Sequence, residues 1–333
     1  MKKNYFISAI VLLLIFCAFA CKNKTTETQT TILPTDDINA LSSLIAQNPI
    51  SDSLYLLRAK LYMLNTQHDS AITDLRRALT IQPKNASYYS LLSENLMLNN
   101  DSKNAIQIID SGLLVLPNDI QLIQDKIRLQ LILTQYMEAM ATLDLLFLLD
   151  PENAYGYYLA GHVFIESGDT GRAVNSYQKA VDFDPELTVA WIQLGDVLSH
   201  MKNPISIKYY DNAIKLNPND IETRHNKAYA LQNLGRIQEA ILQYKENILV
   251  DSTYELSYYN LGILYKNMDS IAESIQMLNK SILLNPEEAY TYYTRGECYL
   301  KLNDKTSAKK DFEKALSLRP EEMNFKKAWE KLK

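Results

Sequence analysis

The chain has 333 residues, 47% hydrophobic and 22% charged, with only 9 Gly and 10 Pro. That balance excludes a largely disordered chain, a turn-rich all-β fold and the Gly-rich phosphate loops of nucleotide enzymes. The formal net charge of −5 comes without a basic block, which excludes an electrostatic footprint for nucleic acid.

Lys2 and Lys3 precede an apolar run from Phe6 to Ala20, broken only by Ser8. Such a run is too short to span ~30 Å of hydrocarbon as a helix. A basic start, a short apolar core and small residues before a cut describe a secretory signal over residues 1–20. Ala18-Phe19-Ala20-Cys21 resembles the lipobox of bacterial lipoproteins, with Ala18 where Leu is more frequent. The resemblance implies lipid on Cys21 and an address in the bacterial cell envelope: anchored to a membrane, the outer membrane facing the periplasm. Cys17 would leave with the signal and Cys21 would carry lipid, so Cys298 stands alone and the mature chain has no intramolecular disulfide. Residues 21–36 are polar, Thr-rich and aperiodic, as suits a tether of roughly 20 Å reach.

From residue 37 the chain is periodic. Pro49, Pro83, Pro117, Pro151, Pro185, Pro218, Ser252, Pro286 and Pro320 follow one another at 34 residues, once at 33. Between markers, apolar residues recur at helical spacing, as in Ala173, Val174, Tyr177, Ala180 and Val181. Each interval has room for two helices and two short turns, with Pro ending the second helix because it cannot continue the ladder. One offset holds Tyr55, Tyr89, Ile123, Tyr157, Trp191, Arg224, Tyr258 and Tyr292; another holds Ala59, Ser93, Ile127, Gly161, Gly195, Ala228, Gly262 and Gly296. Small residues let two helices approach, and a ring fills the space beside them.

Trp191-x-x-Leu194-Gly195, Tyr258-x-x-Leu261-Gly262-x-x-Tyr265 and Gly235-Arg236-x-x-Glu239-Ala240 carry a resemblance to the tetratricopeptide repeat family over residues 37–333. It implies an all-α, right-handed superhelical solenoid of about eight helix-turn-helix repeats with terminal capping helices. The repeats are 52–85, 86–119, 120–153, 154–187, 188–220, 221–254, 255–288 and 289–322; 37–51 forms the leading cap and 323–333 the closing one. The third repeat departs most, with Ile123, Ile127 and Leu146 where others hold an aromatic and small residues.

The repeats and caps account for nearly the whole mature chain, and no catalytic set, metal spacing or cofactor motif stands out. In the family the first helix of each pair lines a concave groove. Carried over by offset, that face holds Tyr155, Tyr158, His162, His200, His225, Asn226, Tyr229, Tyr259, Asn260, Tyr290 and Tyr293. Tyrosine is the residue type in excess, at 22 against 8 Phe and 2 Trp, and it supplies rigid rings with a hydroxyl. A protein or extended peptide is the expected ligand, with carbohydrate on the same tyrosines as the alternative. A metal or proton-transfer cluster at His162, His200 and His225 is the third reading, against polar groove lining. The Lys/Asn/Arg set by which chaperone-binding members clamp a carboxylate has no match. Leu114, Leu145 and Leu148 stand at outer positions of second helices and suggest a second interface, with a second copy of the chain or another partner, against simple divergence.

Overall fold

The computed structural model describes residues 37–332. The signal segment 1–20, Cys21 and the tether to residue 36 lie outside the described residues. Eighteen α-helices and no strand occur among them. Helix α1 spans Ile38–Gln47. Four pairs follow: α2 Asp52–Leu64 with α3 His68–Ile81, α4 Ala86–Leu98 with α5 Ser102–Val115, α6 Ile120–Ile132 with α7 Tyr136–Leu149, and α8 Ala154–Glu166 with α9 Thr170–Phe183. Four more are α10 Thr188–His200 with α11 Ser206–Leu216, α12 Ile221–Asn233 with α13 Ile237–Val250, α14 Glu255–Asn267 with α15 Ile271–Leu284, and α16 Ala289–Lys301 with α17 Lys305–Leu318. Helix α18 is Met323–Glu330. The chain divides into two compact units between Phe183 and Asp184, the first holding α1–α9 and the second α10–α18. Within each unit a first helix packs on its own second helix, and that second helix packs on the next first helix.

Local chemistry sets the helix ends. Asp119, Asn153, Asp220 and Asp304 cap N-termini by accepting from backbone N–H groups of the first turn. Each first helix ends on a left-handed residue. These are Thr66, Asn100, Thr134, Gly168, Lys202, Gly235, Asp269 and Asn303, with φ between 54° and 81°. The following N–H then returns to the last turn, as Gln67 N does to Tyr62 O at 2.8 Å. Only two of the eight are Gly, so six turns carry the steric cost of a Cβ in that region.

The tyrosine offset has a specific cause. Six residues after seven of the nine markers, a side chain donates back to the marker's carbonyl, as Tyr55 does to Pro49 at 3.3 Å. Tyr89, Tyr157, Tyr258 and Tyr292 do so through their hydroxyls at 2.9–3.2 Å, and Trp191 through Nε1 at 2.8 Å. Arg224, which breaks the aromatic pattern, keeps the bond through Nε at 2.7 Å to Pro218. Ile123 of the third repeat has no donor to offer.

The core sits where the two helices of a pair cross. A Cβ on Gly161 would lie 2.3 Å from Tyr177, one on Gly195 2.6 Å from Tyr210, and one on Gly296 2.6 Å from Phe312. The first and eighth repeats share a further device. Arg58 donates through Nε and Nη2 to Asp74 and through Nη1 to Ser42, joining α1, α2 and α3. Arg295 makes the same three bonds to Asp311 and Asn279, joining α15, α16 and α17. Both guanidiniums also lie against two rings, Tyr55 and Tyr62 in one case and Tyr292 and Tyr299 in the other.

Candidate functional site

One residue follows the crossing residue of every first helix: Lys60, Glu94, Arg128, His162, Asp196, Tyr229, Ile263 and Glu297. All but one are polar, and their neighbours on the same helices build two separate sites, one in each unit.

In the first unit the site is ionic. Asp125 accepts from the Ser90 hydroxyl, from Gln121 Nε2 at 3.0 Å and from Arg128 Nη2 at 2.6 Å. Burial opposes the Arg128 charge, yet Asp125, then Tyr155 and Glu94, hold its pKa above the ordinary value. Its buried Nε has no hydrogen-bond partner among the described residues. Burial also lifts the Glu94 carboxyl, against the pull of Arg128. Glu94, Asp125 and Arg128 were not foreseen from the sequence. The signal available for Glu94 and Arg128 was the run of charged residues, with Lys60, at one repeat position.

Tyr158 and His162 were expected on an open face, and here the structure corrects the expectation: they are 3% and 4% exposed. With Gly161 leaving space, the Tyr177 ring enters the crossing, and Tyr158 and His162 close over it. Their rings meet edge to face at 4.6 Å, and His162 meets Tyr177 at 5.5 Å. Burial pushes the His162 imidazole down to about 4, so it is neutral near pH 7. Tyr155 stacks on Tyr158 at 5.4 Å and stays half-buried at the edge of the ionic site.

In the second unit the site is aromatic and amide-rich. Asp196 is its hub. Burial raises its carboxyl, while Tyr210 donates to it at 2.7 Å and Asn226 Nδ2 at 3.3 Å. His200, at the end of α10, bonds the backbone carbonyl of Asp196 through Nδ1 at 2.7 Å and is exposed. His225 is enclosed by Tyr244 and Tyr254, at 5.6 and 5.5 Å between ring centres, and burial pushes it down to about 4. Its Nδ1 has no partner among the described residues. Tyr229 is 49% exposed, and Tyr259 and Asn260 are half-buried one repeat on. Asn260 Nδ2 donates to Leu256 O on its own helix at 3.0 Å. Carboxylates surround these rings. Burial, then Glu222, Asp220 and Glu255 raise the Tyr254 phenol to about 12. Glu288 and Glu255 act on Tyr259 in the same sense.

Tyr290 and Tyr293 serve a different purpose from the one expected. Both pack on Phe325 of α18, at 5.1 and 4.9 Å, and the Tyr290 hydroxyl donates to Glu322 at 3.1 Å. They hold α18, which packs against the last described pair. Leu114, Leu145 and Leu148 are exposed, at 87%, 40% and 79%. Leu249 and Leu283, at the repeat position of Leu114 and Leu148, are exposed as well, so this leucine is not peculiar to the third repeat. Among the described residues no group of three or more His, Cys, Asp or Glu is placed to hold a metal ion, and no helix is long and apolar enough to cross a membrane.

Three tetratricopeptide-repeat family models match the chain: one at 52–85, 154–187 and 256–288, a second at 209–242 and a third at 289–322, together about half its length. Protein bimA of Emericella nidulans is 33% identical over 73 residues, 22% of this chain and 9% of that protein. A DnaJ homolog subfamily C member 7 homolog of Schizosaccharomyces pombe is 28% identical over 123 residues, 32% of this chain and 26% of that protein. The chain thus spans a minor part of either relative. The solved APC/C hetero-tetramer Cut9-Hcn1 superposes with a TM-score of 0.50 at 18% identity, over 88% of this chain and 58% of that one, a likeness of fold.

Proposed function

This chain belongs to the tetratricopeptide repeat family, and we propose that it is a non-catalytic lipoprotein of the bacterial envelope. Lipid on Cys21 holds it to a membrane, the outer membrane facing the periplasm. Its first helices bind a protein or extended peptide, and it scaffolds an assembly at that membrane. The Lys2–Lys3 start, the apolar run and the Ala-Phe-Ala-Cys segment support the anchor.

The observation that carries the binding reading is the face shared by α12 and α14. His225 and Asn226 on the one helix recur as Tyr259 and Asn260 on the other, with the Tyr229 ring half in solvent beside them. Rings that lose little entropy supply contact area, and amides supply adaptable hydrogen bonds. An extended chain advances ~3.3 Å per residue, so about three of its residues pass each first helix at helix-packing distance. Glu222, Glu255 and Glu288 around the rings favour a segment carrying Lys or Arg.

A pull-down from solubilised envelopes with the full chain, beside a Tyr229→Ala/Tyr259→Ala variant of unchanged circular dichroism, tests this. A protein held by the parent and lost by the variant is the expected result; equal retention refutes the face. Quenching of Tyr fluorescence by glycans, with no protein captured, would replace the peptide by carbohydrate. Cys21→Ser should lose labelling by palmitate and leave the membrane fraction; a variant that stays there disproves the anchor.

A further inference from the structure

Between the third and fourth repeats, on the side formed by second helices, lies a cavity of about 220 Å³. Three rings line it, Phe147 of α7 and Tyr157 and Phe164 of α8, beside the buried Leu143, Ala160 and Ser176. Phe147 and Tyr157 stack at 4.4 Å. The other seven repeats place Leu, Ile or Val where Phe147 stands, so this ring is peculiar to the junction. Its rim is charged: Arg172 and Lys179 of α9 on one wall, Asp144 of α7 on the other.

The two cations differ. Arg172 is already neutralised by Asp169 at 2.6 Å and lies over Phe164 at 4.5 Å. Lys179 lies over the Tyr157 ring at 5.0 Å and, among the described residues, has no ion-pair partner. Next to Asp144 on the surface of α7 stands Leu148, strongly exposed, with Leu145 beyond it. The volume falls below the about 300 Å³ at which small-molecule sites begin, and it suits one large apolar side chain delivered by a chain that continues outside.

We propose that this cavity is a docking site for a partner segment with a single aromatic or leucine anchor followed by an acidic residue. The anchor fills the space over Phe147, Tyr157 and Phe164. The carboxylate meets Lys179, and Asp144 repels the reverse orientation. Leu148 and Leu145 extend the contact along the segment. The site is independent of the tyrosine face in the second unit.

Methyl-labelled methionine reports on it, because Met140 lines the cavity. The full chain is titrated with N-acetyl-Phe-Glu amide, N-acetyl-Phe-Lys amide and N-acetyl-Gly-Glu amide, with the Met140 methyl followed by NMR. The Phe-Glu probe should shift that methyl to saturation in the millimolar range, and Gly-Glu should leave it still. Phe-Lys should bind about threefold to fivefold more weakly, the upper end of what an exposed ion pair supports. Lys179→Glu, at an exposed position where folding is not at stake, should reverse that order. A Met140 methyl unmoved by Phe-Glu overturns the site. Equal binding of the two Phe probes, or an order that Lys179→Glu leaves unchanged, overturns the acidic partner.

Discussion

The third and fourth repeats adjoin in the chain and fill the same places with different residues. At the crossing the third has Ile127 and Leu143, both buried, where the fourth has Gly161 and Tyr177. At the next position the third has Arg128, paired with Asp125, and the fourth has neutral His162 among rings. At the turn the third has Thr134 at φ 59° and the fourth Gly168 at φ 81°. The backbone trace of a helix pair is the same in both. What the array conserves is therefore filled volume and a closed turn, and residue identity is free to vary under that constraint.

The comparison can be broken most forcefully at the crossing. Ile127→Ala leaves a void that Leu143 is too short to fill, and should cost about 4 kcal/mol in urea unfolding. Adding Leu143→Tyr recreates the fourth repeat's solution and should recover part of the loss. A double variant no better than the single would show that the two crossings are not interchangeable.

The second contrast is in pH. His162 has its folded pKa near 4 and an unfolded value of 6.5. Above pH 6.5 both states are neutral and its contribution is complete. As pH falls from 6.5 to 4, the unfolded state takes up the proton alone, and about 3 kcal/mol is lost. The stability gap between parent and His162→Gln should therefore narrow by that amount between pH 7 and pH 4. A gap that does not change with pH would mean that His162 is hydrated or paired in the folded protein.

Gly161→Ala comes next, at about 2 kcal/mol, because the new Cβ would overlap a ring with nowhere to turn. Tyr177→Leu in the same chain should return most of it. Smallest is Thr134→Gly, which relieves a left-handed Cβ and should raise unfolding free energy by about 0.5 kcal/mol after the entropy of Gly is counted. A fall on that substitution would mean that the Thr134 side chain contributes more than its backbone conformation costs.

The repeat could be read from sequence because each marker does a local job, ending a helix and, at seven of the nine, receiving a hydrogen bond from six residues on. Depth could not be read in the same way. Tyr158 and Tyr259 hold one offset, each with a Gly three residues on, but Tyr158 has the Tyr177 ring opposite and is covered, whereas Tyr259 has Leu278 opposite and keeps partial access. Tyr290 and Tyr293 escaped for another reason. The offset assumes a following repeat, and after Pro320 the chain supplies α18 with Phe325 instead. Glu94 comes from α4, whereas Asp125 and Arg128 stand three apart on α6, so no stretch of sequence shows all three together.

The matched clasps at Arg58 and Arg295 bear on how the molecule comes apart. In a stack of repeats the outermost helices have a neighbour on one side only, so they open first, and proteases and solvent exchange enter there. Each clasp ties the end pair to the helix before it with three charge-assisted bonds, two of them to a well-buried carboxylate. Amide exchange should then be slow from α1, which the Arg58 clasp holds, to α17, with α18 the first to fray. A chain that does not unravel from its tips lasts as long as its middle does.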